Sequence, residues 1–313
     1  MYLIFYVIGK WKESSQYAFE KMRIHSRSHF QHQSSPYQPW LVLITGLNGI
    51  RKTTCLAQPW FSLLLSSSFL TSTSYSPDDL PAASNSFFRQ LDHILATVVN
   101  KEFHSLYQSM DYTNYKKIKE TIYLKYRLFA EIFGFCTVFE AQKQGMNILI
   151  ETSGRDSAMF ECIDYLADTY NSHQRSSTSP NIKYRKLLIH FSINDIKYAK
   201  ESVDKRMIEE MQRGKLLLQV AETISGQQVS EINSGGPYAG DKLDQVFIES
   251  EDIWKRILVN INPSTPSPSS SKANIVGSDW DVAHIEIIGN DDDSIWIARP
   301  ALSSHSSSMS FIF

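Results

Sequence analysis

Cysteine is scarce in this chain. Cys55, Cys136 and Cys162 are the only three in 313 residues. Their separations fit neither a zinc-binding spacing nor a paired disulfide framework, which suits a reducing compartment. They read as small buried hydrophobes. Charge of one sign is also lacking. The 31 basic and 33 acidic residues leave a net charge of -2. No global field draws the chain toward nucleic acid or acidic lipid, so neither is an expected partner. Long apolar runs are missing as well. "MYLIFYVIGK" at the start is too short to span a membrane. It has no basic stretch before it and no small-residue cleavage site after it, so a core or edge strand and a cytoplasmic location are expected. "FSLLLSSSFL" is short and broken by serines. What is present is an ordinary globular balance, 42% hydrophobic and 20% charged. It is enough for one large domain or two small ones.

Residues 1–39 are polar after the first apolar run and carry no clear period, so they read as a weakly structured lead-in. His25, His29 and His32 lack acidic or cysteine partners at ligand spacing. From residue 40 the pattern sharpens. "WLVLIT" is a continuous apolar run, as expected of a strand buried on both faces. A helix start follows, interrupted at Pro59. Residues 66–84 are rich in Ser, Thr and Pro and read as a surface loop. Two helical stripes come next. One runs through Phe87, Leu91, Ile94, Leu95, Val98 and Phe103. The other runs through Ile118, Ile122, Tyr126, Phe129, Ile132, Phe133 and Phe139, with Gly145 as its stop. Both are expected to pack a core.

Two further buried strands are predicted over 146–151 and 186–193, each followed by a helical pattern. Strands alternating with helices predict an α/β fold: a three-layer sandwich around a mostly parallel sheet. That domain is expected to span 40–262. A Pro/Ser linker covers 263–280. Within 281–313, alternating apolar and polar residues flank an Asn-Asp turn, which predicts a C-terminal β-hairpin extension able to dock on the main sheet. Asp291, Asp292 and Asp293 read as turn residues. A protein partner for 263–313 is a further expectation.

The chemistry concentrates after the first strand. "GLNGIRKTT" meets the phosphate-loop pattern G-x-x-x-x-G-K-[ST] at Gly46, Lys52 and Thr53, with Arg51 in place of the second motif glycine. Such a loop turns backbone N–H groups inward as an anion nest, places a lysine on the β/γ oxygens and offers a hydroxyl to Mg2+. Gly46, Asn48, Gly49, Arg51, Lys52, Thr53 and Thr54 are the expected nucleotide-binding set, with Thr53 on the metal. ATP or GTP and Mg2+ are the expected ligands. Arginine where φ must be positive costs on the order of 1 kcal/mol, against which stands another cation beside the phosphates. Glu151 lies at the carboxyl end of a predicted parallel strand, the edge where open α/β sheets bind ligands. There it would hold the water shell of the metal or orient a substrate hydroxyl. Arg155, Arg206 and Arg213 are candidates to stabilise charge on a phosphoryl group in transfer.

Together the loop, "ILIETSGRD" and "INDIKYAKESVDKRM" resemble the zeta-toxin group of P-loop kinases over about residues 40–260. That group has a lysine in its phosphate loop, a strand ending Ile-Glu-x-Thr-Gly-Arg, and a later helix with a phosphate-directed arginine. "IETSGR" matches the second element through Glu151, Gly154 and Arg155; Arg206 matches the third, and Arg213 would be a lid arginine beyond it. The resemblance implies an ATP-dependent kinase acting on a hydroxyl of a small acceptor, such as a nucleotide sugar. The bacterial members phosphorylate the 3'-hydroxyl of UDP-N-acetylglucosamine. Two departures stand out. One is Arg51. The other is the catalytic base, because the family's aspartate is matched nearest by Asn85, which cannot take a proton. Asp78, Asp79 or Asp92 would replace it, Asp92 two helical turns on and on the same face as Asn85. These departures support an alternative, a catalytically degenerate nucleotide-binding scaffold.

Overall fold

The computed structural model describes residues 39–55, 58, 60–61, 87–89, 95–96, 98–109, 111–143, 147–174, 184–233, 236, 238–261, 280–289, 294–300 and 311–312. Residues 1–38 of the lead-in, the 66–84 loop, 263–279 of the Pro/Ser linker, the three N-terminal histidines and the aspartate turn lie outside these residues, while residue 280, expected to end the linker, opens a strand.

The sheet grows from its most apolar strand. In β1 (Trp40–Gly46) every residue is buried, as in a strand covered on both faces. It pairs in parallel with β3 (Ile148–Glu151) from Leu41↔Ile148 to Ile44↔Glu151. On its other side it pairs in parallel with β4 (Arg185–Ile193) from Trp40↔Arg185 to Gly46↔Phe191. β2 (Phe87–Arg89) adds in parallel to β3. β5 (Trp280–Gly289) adds in parallel to β4, from Lys186↔Trp280 to Ile193↔Ile287. β6 (Ser294–Pro300) and β7 (Phe311–Ile312) continue the sheet antiparallel. The order is β2-β3-β1-β4-β5-β6-β7. The C-terminal hairpin therefore extends the main sheet, and its first strand is a full parallel member of it.

Alternate residues of β1 feed two cores. Trp40, Val42 and Ile44 pack with Phe191, Ile50, Phe61, Ala199 and Val203 on one face. Leu41 and Leu43 pack with Phe160, Ile163, Leu188, Trp254 and Ile257 on the other. Helices α4 (Ala158–Gln174) and α7 (Leu243–Ile261) supply the second face, and α5 (Ile196–Val220) the first. Asp195 starts α5 by accepting from the Lys197 N–H. A third core is mostly helical. It joins α2 (Asn100–Tyr107), α3 (Tyr112–Lys143), the later turns of α5 and α6 (Gly226–Ile232) through Phe103, Tyr107, Tyr126, Met207 and Val229.

Several elements differ from expectation. The third sheet strand in sequence starts at Ile148 rather than 146, and the fourth at Arg185 rather than 186. Phe87 lies in β2 rather than on a helix. That strand interrupts the helix expected to join Asn85 and Asp92, both of which lie outside the described residues. On α3, Ile122, Tyr126 and Phe133 are buried as expected, while Ile118 and Ile132 are exposed. The buried stripe turns instead through Tyr115 and Lys119. Lys119 is admitted because Glu210 waits 2.8 Å away, inside the helical core.

Candidate functional site

The loop after β1 is built by close contacts that leave no room for side chains. At Gly46 (φ 128°) a Cβ would sit 2.3 Å from the Phe191 carbonyl oxygen of β4. At Gly49 (φ 90°) it would sit 2.5 Å from the Ala199 carbonyl oxygen and 2.7 Å from a Val203 methyl of α5. Both also have a positive φ that L side chains adopt only with strain. Arg51 is the one described non-glycine residue in that region, with φ 60°. Its side chain is exposed, so the backbone bears the cost, on the order of 1 kcal/mol.

Backbone pairing among the described residues does not take up the loop's amides. Among the described residues, the backbone N–H groups of Leu47, Asn48, Gly49, Ile50 and Arg51 have no hydrogen-bond partner. Successive unpaired N–H groups on a tight loop form a concave site for an anion. Lys52 opens α1 (Lys52–Cys55) and turns back under the loop. Its side chain is 2% exposed. Nζ donates to the carbonyl oxygens of Gly46 at 2.7 Å and Leu47 at 2.9 Å, and lies 3.4 Å from Glu151 Oε1. Glu151 reaches it because β3 runs beside β1 with Glu151 level with Ile44. Thr53 and Thr54 follow in the same helical turn.

The chain beyond β3 closes the other side of the loop. Gly46 N donates to the Ser153 carbonyl at 3.3 Å, and Gly154 lies against Thr45, where a Cβ would stand 2.7 Å from Thr45 Cβ. Arg155 Nη2 then donates to the Tyr238 hydroxyl oxygen at 2.8 Å. Arg206 lies on α5 one turn past Val203, the residue against Gly49, and its Nε donates to the Ser202 carbonyl at 3.4 Å. Arg213 is about 10 Å farther along that helix. It is exposed and donates to the Ile232 carbonyl of α6 at 3.1 Å. The structure thus gathers Lys52 and Glu151 at the loop, sets Arg155 after the glycine that lies against Thr45, leaves Arg206 on α5 one turn past Val203, and ties Arg213 to the helical module. Asp92 lies outside the described residues.

Sequence reading missed a buried imidazole at the same edge. His190 pairs with Thr45 across β1 and β4, and its Nδ1 lies 2.9 Å from Thr45 Oγ1 in a hydrogen bond. Its ring stacks on Trp254 at 4.3 Å, and Nε2 faces Glu251 Oε1 at 4.0 Å without a hydrogen bond. Burial, then His284, then Lys52 hold its pKa well below the usual imidazole value, so it is neutral at neutral pH. Burial raises the Glu251 carboxyl. Strand β4 reads as a plain apolar run, and only the parity of position 190 with the Leu188 face hints at this burial. Among the described residues, no group of three His, Cys, Asp or Glu is placed to hold a metal, and no helix is long and apolar enough to cross a membrane.

A parallel sheet of order β2-β3-β1-β4-β5, with a glycine-containing loop and a buried lysine after its central strand, defines a P-loop NTPase-like α/β domain. No family model and no curated protein matches the sequence. A solved structure from work on the PezAT chromosomal toxin–antitoxin system of the human pathogen Streptococcus pneumoniae is similar at 12% identity and a TM-score of 0.41, over 91% of this chain and 80% of that one. A likeness that distant transfers no residue roles.

Proposed function

We propose that this chain binds ATP or GTP with Mg2+ and transfers the γ-phosphoryl group to a hydroxyl of a small acceptor. The observation that supports the reading is the loop itself: five consecutive amides without a partner among the described residues, and a buried ammonium that holds the loop's Gly46 and Leu47 carbonyls. Phosphate oxygens satisfy those amides, and the Lys52 ammonium exchanges its hold on the Gly46 and Leu47 carbonyls for the β/γ oxygens. Thr53 would hold Mg2+, with Glu151 on its water shell or on the acceptor hydroxyl. When bound, Mg2+ neutralises charge shared between the β- and γ-phosphates. Arg155 would steady charge developing on the transferred group, with Arg206 of α5 as a second cation. The γ-phosphorus–oxygen bond to the leaving diphosphate breaks as the acceptor oxygen bonds to phosphorus, and the hydroxyl proton passes to a base. Phosphoryl transfer depends mostly on positioning and electrostatics, so a weak base still permits turnover. A nucleotide sugar is the acceptor favoured by the sequence resemblance to zeta toxins.

The second reading, a nucleotide-binding scaffold without turnover, is favoured by the strained Arg51 and by the ion pair that already occupies Lys52. An ATP turnover assay over a panel of hydroxyl acceptors, on wild type and Lys52→Ala, separates the two. Acceptor-dependent release of ADP that vanishes in Lys52→Ala supports the kinase. Nucleotide binding with no turnover on any acceptor supports the scaffold.

A further inference from the structure

Two guanidinium groups meet on one neutral oxygen near the loop. Arg155 Nη2 donates to Tyr238 Oη at 2.8 Å, and Arg127 Nη1 donates to the same atom at 3.3 Å. A phenol oxygen has two acceptor positions, and here cations fill both. Arg155 Cζ also lies 5.2 Å from the centre of the Tyr238 ring. The three residues come from separate elements: α3, the loop after β3, and the turn before residue 240. This is therefore not a chance pair on one helix face.

Among the described residues the charges do not balance. Arg127 has a counterion in Glu131, whose Oε1 is 2.7 Å from its Nε. Arg155 has no carboxylate within ion-pair distance among the described residues. Among the described residues one positive charge is left over, and a phenol oxygen cannot neutralise it. An anionic oxygen in that place forms hydrogen bonds about twice as strong as a neutral one. The location also suits a phosphate ligand. Tyr238 packs on the core cluster that includes Leu47 and Ile50 of the phosphate loop. Arg155 follows Gly154, which lies against Thr45 at the base of that loop.

We propose that Arg127 and Arg155 form a binding pair for a phosphate-type oxyanion, with the Tyr238 hydroxyl holding that oxygen's place until the anion displaces it. Arg127 thereby becomes a binding residue that neither the loop motif nor the zeta-toxin resemblance marks. The inference rests on the kinase reading only for what brings the oxyanion, the nucleotide or the acceptor. A purely architectural role, α3 tied to the turn through Tyr238, responds in the opposite way to loss of the hydroxyl.

The test is pyrophosphate binding by calorimetry to the full chain carrying Lys52→Ala, which weakens the loop's own claim on the anion. Adding Tyr238→Phe keeps the ring and frees both guanidinium groups, and should tighten binding at least about threefold. Adding Arg127→Gln instead should weaken it about tenfold, with Arg127→Lys between the two because it keeps the charge but loses the fork. Thermal melts of each variant report folding. Weaker or unchanged binding in Tyr238→Phe, unchanged binding in folded Arg127→Gln, or no pyrophosphate binding by any of these variants overturns the proposal. In the Lys52 background, a shift of the Mg-ATP Kd by Arg127→Gln assigns the oxyanion to the nucleotide, and an unmoved Kd assigns it to the acceptor. Failure of the wild-type chain to bind Mg-ATP would sink the kinase reading while leaving the pyrophosphate result to stand on its own.

Discussion

Arg51 holds a backbone conformation usually given to glycine, while its exposed side chain has no described contact that explains the choice. Glycine would relieve the steric cost but gives up more chain entropy on folding. Arg51→Gly should therefore stabilise the protein only slightly, by up to about 1 kcal/mol in urea unfolding, and leave the loop's amides where they are. His190 makes a pH-dependent contribution whose sign follows from its lowered pKa. Below about pH 6.5 the unfolded chain binds a proton that the buried imidazole refuses. Stability is thus complete above about pH 6.5 and falls below it, by up to about 1.4 kcal/mol per pH unit. The groups facing it are His284, Lys52 and Glu251. Glu251, raised by burial, binds protons more readily when folded and opposes the trend toward acid. Urea unfolding between about pH 5.5 and 7.5 should show a shallower slope in His190→Asn than in wild type. Equal slopes would show that His190 does not titrate on unfolding.

At the scale of elements, the helical module is held by an arrangement that no periodicity announces. Lys119 of α3 and Glu210 of α5 are both fully buried and paired at 2.8 Å, and Glu210 also accepts from the Tyr115 hydroxyl at 2.6 Å. Burial and then Glu210 push the Tyr115 phenol far above its ordinary range, so it stays a donor. Removing one partner strands a charge. Glu210→Ala should cost about 3–5 kcal/mol in urea unfolding, and the joint replacement Glu210→Leu with Lys119→Met should recover much of that. A small loss in the single variant would mean that water reaches Lys119. The stripe through Ile122, Tyr126 and Phe133 was legible because apolar side chains must share a helix face. The place of Lys119 was not, since a lysine on such a face reads as exposed until its partner, 91 residues on, is known. The same holds for Arg127 and Tyr238, whose meeting depends on how α3 and the turn before residue 240 pack.

For the whole molecule, three strands and the loop could be read directly because each is a continuous apolar run ending in its own signal. β2 could not, since three residues leave no period to read, and its phenylalanines fit a helical stripe equally well. The hairpin was legible from its alternation. Its parallel pairing to β4 was not, because register across a long connection is set by tertiary packing. That pairing completes the β2-β3-β1-β4-β5 order and leaves the loop on the central strand. The proposed activity depends on that loop holding a nucleotide through Lys52. The direct measurement is calorimetric titration of Mg-ATP into the wild-type chain and into Lys52→Ala, each with a thermal melt to report folding. Saturable one-to-one binding is expected of the wild type, with a loss of at least about tenfold in a folded Lys52→Ala chain. Equal affinity in the two, or no binding by the wild type, would contradict it.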